Sequence, residues 1–306
     1  RLGTVLPEIA QATGLPGHTQ VAVGGHDHIC AALALGVFRP GTVLNSMGTT
    51  DSIYIPVDHV PADASLGRQG YTIGAHGMGG YYISGGLWTS GAAVDWFRHT
   101  VGADAPYATL IQEAQQAPVG SGGVYFLPHL RLADPPVEDP RSRGLFLGLN
   151  ADVDRGMLFR ATLEGLAYEL RSYLAPLLQY TLPVDAPPES SPALASVIAT
   201  GGGTRNQLSM AIKASVLNCT FLIDAIQDAT AMGAALLGGL AAGIYSDLAD
   251  MQAHLHHQRQ PILPTPADVA CYERNYHEVF RHIYPAVRDL HHRIADLRDR
   301  PPTLPE

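Results

Sequence analysis

With 306 residues, 46% of them hydrophobic and only 15% charged, the chain has the composition of a globular protein with a sizeable core, not that of a disordered one. Its net charge of −9 argues against non-specific nucleic-acid binding, which needs a basic surface, but leaves room for an anionic small ligand held by a few local donors. No uncharged run is long and apolar enough to suggest a membrane span. The three cysteines, Cys30, Cys219 and Cys271, include no CxxC pair, so a reducing, cytoplasmic setting is expected.

The chain opens on Arg1 in mid-phrase, with no signal-peptide pattern, and reads as a fragment or a processed chain. Lys213 is its single lysine, and no GxxxxGK[ST] phosphate loop exists. A strand is predicted at 21–23, ending at Gly24-Gly25 and followed by His26, Asp27 and His28. A metal centre needs three or four converging ligands. The two histidines alternate across a strand or sit in a loop, and no HExxH or Cys/His set follows. No metal ligand is therefore expected within this chain, and the histidines at 254–257 and 291–292 are expected on the solvated surface. Asp27 is different: a carboxylate just past a strand end suits general-base work on a hydroxyl.

Strands predicted at 42–46 and 52–55 flank "MGTTD", the signature of a hairpin turn. Backbone N–H groups and hydroxyls of Gly48, Thr49 and Thr50 can hold phosphate oxygens, although taken alone the stretch is better explained as a plain hairpin turn. After a strand at 81–84, "GGLWTSGAAVDWF" places Gly91 and Asp95 one helical turn apart, beside the aromatic anchors Trp96 and Phe97. A strand at 124–127, a proline-rich loop at 133–140 and a helix at 158–174 follow, then a proline-rich excursion at 183–192.

Next comes a strand at 196–200, three glycines, and Thr204 with Gln207 at capping-box spacing ahead of a helical pattern. A helix N-terminus after Gly201-Gly202-Gly203 offers free N–H groups to a phosphate, or makes a tight strand-to-helix turn. A strand at 220–223 precedes a helix capped by Asp228, with Ala231, Ala234, Ala235 and Gly238 as a small-residue stripe; the run 229–244 reads as a buried helix. A last helical stretch at 267–298 contains Pro285, where a break or kink is expected. Strands mixed with helices predict a layered α/β fold.

In order and over nearly the whole chain, these segments resemble the FGGY family of carbohydrate kinases. "VAVGGHDHICAALALGV" is similar to that family's catalytic-aspartate segment, "VLNSMGTTDS" to its second phosphate motif and "SGGLWTSGAAVDWF" to a segment lining the nucleotide cleft. "ATGGGTRNQLSMAIKASVLNCTF" is similar to the adenosine motif, "ATAMGAALLGGLAAG" to the helix packed behind it, and "GLFLGLNADVDRGMLFRATLE" to the C-terminal signature. Met157 departs from that signature where a polar residue is usual, and Ala133 and Asp134 stand where many relatives have Glu and Arg, so a remodelled loop is expected there.

The resemblance implies an α/β fold of the actin-like ATPase (ribonuclease H-like) type, as the second domain of a two-domain sugar kinase. Residues 1–40 would hold the end of the first domain and the junction, 41–290 the nucleotide-binding domain and 291–306 a tail. It implies Asp27 as catalytic base with His28 near the substrate and His26 structural. Gly48 with Thr49 would meet the γ-phosphate, Gly91 and Asp95 the nucleotide cleft, Gly202 with Gly203 phosphate and ribose, and Asn206 adenine. The implied reaction uses ATP and Mg²⁺ to phosphorylate a sugar or polyol. The partner it implies is an N-terminal kinase domain absent from these residues, without which this chain is expected to be inactive. Neither nucleic acid nor membrane is expected as a partner, and a homodimer is left open. Two alternatives stand beside it: a non-catalytic nucleotide-binding module of the actin/Hsp70 type, and a metal hydrolase using His26, Asp27 and His28.

Overall fold

The computed structural model describes residues 1–61, 64–76, 79–181, 194, 196–226 and 228–299. Two short strands, β1 (Gly3–Thr4) and β2 (Gln20–Val21), pair antiparallel around helix α1 (Pro7–Thr13). α1 begins at a proline, which loses no hydrogen bond there, and buries none of its residues. The strand expected at 21–23 is thus shorter and shifted back: it pairs only with β1, and Val23 is exposed. Helix α2 (Asp27–Ala34) follows and is apolar almost throughout.

A central sheet comes next. β3 (Val43–Met47) and β4 (Asp51–Val57) form the predicted hairpin, with Met47 opposite Asp51. After a short helix α3 (Ser65–Arg68), β5 (Thr72–Ala75) and β6 (Tyr81–Leu87) extend the antiparallel side. Helices α4 (Ser90–Thr100) and α5 (Tyr107–Gln116) lead to a small ribbon of β7 (Tyr125–Leu127) and β8 (Leu145–Leu147), and then to the long helix α6 (Arg155–Leu174). Asp154 caps α6 by accepting from the Met157 amide at 2.8 Å. The cap uses only the backbone of Met157, so that departure from the family pattern costs the helix nothing at this contact.

β9 (Ser196–Thr200), α7 (Gln207–Leu217), β10 (Thr220–Asp224), α8 (Ala229–Ala242), α9 (Leu248–Ala253), β11 (Arg259–Ile262), α10 (Pro266–Asn275) and α11 (Arg281–Asp299) complete the chain. The seven sheet strands lie in the order β11-β10-β9-β3-β4-β6-β5. β3, β9 and β10 run parallel, and the remaining pairs are antiparallel.

Alternation along the strands builds a three-layer core. Val43, Ile53 and Val197 face Leu170, Tyr173 and Met210 of α6 and α7. Their neighbours Leu44, Tyr54 and Ile198 face Leu33 of α2 and Leu236 of α8. α2 and α8 cross so closely that Gly233 lies on the Cys30 carbonyl, where any side chain would collide.

Four expectations need correction. Ala231, Ala234, Ala235 and Gly238 point to solvent, and α8 is buried instead through Ala229, Gly233, Leu236 and Gly239, so the run is only half buried. The packing stripe is set by which residues meet α2, and an almost uniformly apolar helix gives no sequence contrast to reveal it. The irregularity in the last helical stretch is a π turn at Tyr276–Phe280, just ahead of Pro285, which lies inside α11. His291 is buried beside Ser142, with Oγ to Nδ1 at 3.3 Å, and His292 Nε2 meets Asp139 at 2.7 Å, because one face of α11 packs on the 139–143 loop. At 254–257, His257 is half-buried against Asp224, at 2.9 Å, while His254 and His256 remain largely at the surface. The excursion predicted at 183–192 lies outside the described residues.

Candidate functional site

The parallel strands β3, β9 and β10 end at one edge of the sheet, where β3 and β9 are each followed by a sharp turn. In open α/β sheets this carboxyl edge is where ligands bind. After β3, the turn at 48–50 is closed by Gly48 N–H donating to the Thr50 carbonyl at 2.9 Å. The start of α4 docks on it: Ala92 N–H donates to the Thr49 carbonyl at 2.9 Å, and Gly91 lies against the Gly48 carbonyl with no space for a Cβ. After β9, Gly201 takes φ 94° and the backbone makes a tight turn over Gly202–Arg205 before α7. Gly203 packs on Met47, whereas a Cβ on Gly202 would meet nothing within 4 Å.

These turns enclose a cleft of about 830 Å³. All seven predicted phosphate and nucleotide positions line it: Gly48, Thr49, Gly91, Asp95, Gly202, Gly203 and Asn206. Trp96, Ile111 and Leu166 give it an apolar wall, and Arg131 and Arg205 add guanidinium groups at its border. An apolar wall together with glycine-lined backbone suits a ligand with a base and a phosphate chain.

Two of these side chains also have structural roles. Asp95 Oδ1 accepts from the Tyr107 hydroxyl at 2.8 Å; burial, then this hydrogen bond, pushes the Tyr107 pKa up. Asn206 Oδ1 accepts from Ser209 N–H at 3.1 Å and caps α7, a role predicted for Thr204. The Thr204 hydroxyl turns back to the Gly201 carbonyl at 2.8 Å because the extra tight turn shifts the helix start by two residues. The cap leaves the Asn206 amide nitrogen for the cleft.

One pair at the cleft floor has no counterpart among the predicted site residues. Lys213, on α7, is almost fully buried and pairs with the carboxylate of Asp51, the residue that closes the hairpin turn. Asn45 Oδ1 lies 3.4 Å from the same ammonium. Among the described residues Asp51 Oδ1 and Asn45 Nδ2 have no hydrogen-bond partner. The pair ties β4, at the hairpin turn, to α7, which follows the glycine turn. The sequence signal was available: a single lysine in the apolar stretch of a helix needs a buried partner.

The segment at 133–134, where a remodelled loop is expected, is packed into the structure. Ala133 pairs with Asp139, and both Ala133 and Asp134 are buried. Asp134 Oδ1 accepts from Trp88 N–H at 3.0 Å, bracing the strand end ahead of α4. Burial pushes the Asp134 carboxyl up to about 7, with Glu169 adding to the rise and the Trp88 amide opposing it.

Asp27 and His28 do not line the cleft. Asp27 is the first residue of α2 and is 66% exposed. The Thr230 hydroxyl, at the start of α8, donates to the Asp27 carbonyl at 3.4 Å, which places Asp27 at the same carboxyl edge of the sheet beside the turn after β10. Asp27 Oδ1 accepts from His28 N–H at 2.8 Å, and His28 Nδ1 lies 3.0 Å from the same oxygen; His26 Nδ1 is also in contact with it. Burial, then the nearby His26, lowers the His28 pKa, against a smaller opposing effect of Asp27.

Residues 43–242, which carry the hairpin, the cleft and α8, match the model of the FGGY family of carbohydrate kinases, C-terminal domain. The chain belongs to this family. Across 97% of its length it is 24% identical to a xylulose kinase of Bacillus subtilis (strain 168), and across 81% it is 32% identical to a glycerol kinase of Gloeobacter violaceus. A solved xylulose kinase from Rhodospirillum rubrum superposes on 95% of the chain with a TM-score of 0.78 at 28% identity. A ligand-bound xylulose kinase from Lactobacillus acidophilus superposes on 96% with a TM-score of 0.81 at 22% identity. The fold is therefore the actin-like ATPase fold of these sugar kinases. The chain spans 57% and 50% of the two curated relatives and 55% and 57% of the two solved chains.

Proposed function

We propose that this FGGY chain supplies the nucleotide-binding half and the general base of an ATP-dependent sugar or polyol kinase. The observation that carries this reading is the convergence of seven separately predicted positions, from three sequence motifs, on one cleft. The rim of Gly202 and Asn206 receives the adenosine, the Gly48-Thr49 turn meets the terminal phosphates through its N–H and hydroxyl groups, and Arg131 and Arg205 offset charge at the border. Asp27, on the same sheet edge, accepts the proton of the acceptor hydroxyl as it attacks the terminal phosphate. Its Oδ1 is engaged by His28, so Oδ2 is the oxygen presented to that hydroxyl.

Mg²⁺ bound with ATP would supply charge neutralisation. Neither cleft carboxylate stands ready as its ligand: Asp51 is buried against the Lys213 ammonium, and Asp95 has Oδ1 engaged by Tyr107. The remaining sugar and Mg²⁺ contacts would come from an N-terminal kinase domain preceding these residues. In this scheme 1–40 form the junction and 41–290 the nucleotide domain, with 291–306 as a tail, although helix α11 runs on through Asp299. No helix among the described residues is long and apolar enough to cross a membrane; a cytoplasmic location is part of the proposed reading.

The test is ADP release by the full-length protein over a panel of ketopentoses, glycerol and erythritol. Mg²⁺-dependent release with one of them is expected. No release with any, despite ATP binding, would leave a nucleotide-binding module without kinase activity.

A further inference from the structure

Spacing alone gives His26, Asp27 and His28 no convergence, but the fold does. His26 is extended, with φ −59° and ψ 157°, while Asp27 and His28 begin the helix. This bend turns the two imidazoles to the same side, with ring centroids 4.2 Å apart. One donor atom from each of the three residues lies within 4.8 Å of the other two. His28 Nδ1 is already 3.0 Å from Asp27 Oδ1. A tetrahedral ion with bonds of about 2.0–2.1 Å holds neighbouring donors about 3.3 Å apart, so the triangle needs only small side-chain adjustments.

We propose that His26, Asp27 and His28 form a three-ligand site for a borderline divalent cation, Zn²⁺ or Co²⁺, with water completing its coordination. Two imidazoles and one carboxylate favour these ions, whereas Mg²⁺ and Ca²⁺ prefer an all-oxygen set. The side chains of His26 and Asp27 are 65% and 66% exposed, which gives the ion an entry path and leaves positions for water. The partial positive charge at the start of α2 opposes a cation, so binding is expected to be weaker than at a closed structural site. The site stands on its own geometry. Its consequence rests on the kinase reading: a bound ion occupies Asp27 and competes with the acceptor hydroxyl for it.

The test uses the full-length protein, titrated calorimetrically with Zn²⁺ and followed by visible absorption with Co²⁺. One ion per chain is expected, with His26→Ala and His28→Ala each weakening binding by at least about tenfold and Mg²⁺ leaving the Co²⁺ spectrum unchanged. Circular dichroism of the two variants checks that they fold. No binding up to millimolar Zn²⁺, or binding that neither variant weakens, overturns the site. A parallel arm measures turnover with and without Zn²⁺ at saturating Mg²⁺-ATP, as a ratio for each protein. Inhibition that His26→Ala relieves supports competition at Asp27. Binding as expected with undiminished turnover upholds the site and counts against Asp27 as the base.

Discussion

The proposed nucleotide cleft and the His26–Asp27–His28 triplet occupy the same edge of the sheet but are built differently. The cleft is held by packing: Gly91 on the Gly48 carbonyl, Gly203 on Met47, and the Lys213–Asp51 pair under both motifs. The triplet is more open: Thr230 meets the Asp27 carbonyl, His28 is partly buried, and the Asp27 side chain stands in solvent. The contrast separates two ways in which a residue can matter. Changes in the cleft floor should act first on stability, and changes in the triplet on chemistry alone.

The sharpest way to break that distinction is at Lys213. Lys213→Met leaves the buried Asp51 carboxylate without its cation and should cost about 3–5 kcal/mol, read by denaturant unfolding. The double variant Lys213→Met with Asp51→Leu removes both charges and should recover most of that loss. If stability returns while ATP affinity does not, the pair also positions the phosphate turn. If the single variant costs less than about 1 kcal/mol, within the range of a surface pair, the cleft floor is not under the load assigned to it.

Asp27→Asn should do the opposite. The side chain is exposed, so thermal unfolding is expected to stay unchanged. Turnover of the full-length protein should fall at least about a hundredfold while binding of an ATP analogue holds within about twofold. A loss of less than tenfold would remove Asp27 from the role of base.

Within the cleft, Gly202 and Gly91 divide along the same line. Gly202 opens onto free space, so Gly202→Leu should fold normally and fill the cleft, weakening an ATP analogue by about tenfold or more in calorimetry. Gly91→Leu has no space to enter and should destabilise the docking of α4 before it affects the ligand. Unchanged nucleotide affinity in Gly202→Leu would move the adenosine site elsewhere.

What the sequence made legible follows from the same contrast. The hairpin, β9 with its glycine turn, and α6 were readable because turn chemistry and period agree there. That the seven positions share one cleft was readable because motif residues at chain turns land on one sheet edge once the strands are parallel. The strands at 72–75 and 145–147 were missed: they are short and flanked by irregular segments, and partner strands decide them. The buried face of α8 and the Lys213–Asp51 pair were missed because each depends on an element distant in sequence, α2 for the first and the β3–β4 turn for the second. The convergence of the triplet was missed because it depends on where the extended backbone gives way to helix, and helix boundaries are the least readable feature of a chain.

Asp134 gives the smallest effect and tests whether the packing of the cleft extends to its supporting loop. Its carboxyl is raised to about 7 by burial, so the folded protein favours the protonated form. A raised acid costs nothing well below the usual carboxylate pKa of about 3.9, and its penalty grows as pH climbs from there to about 7, then levels off. Asp134→Asn keeps an oxygen for the Trp88 amide and cannot ionise. At pH 8 the variant should be about 1–2 kcal/mol more stable than the parent, because an amide still loses some hydration on burial. That advantage should be lost as pH falls toward 4, where the parent carboxyl is protonated and only the cost of burying the amide remains. A gap that stays constant across that range would mean that Asp134 does not titrate in the fold, and that the loop bearing it is more open to water than its packing indicates.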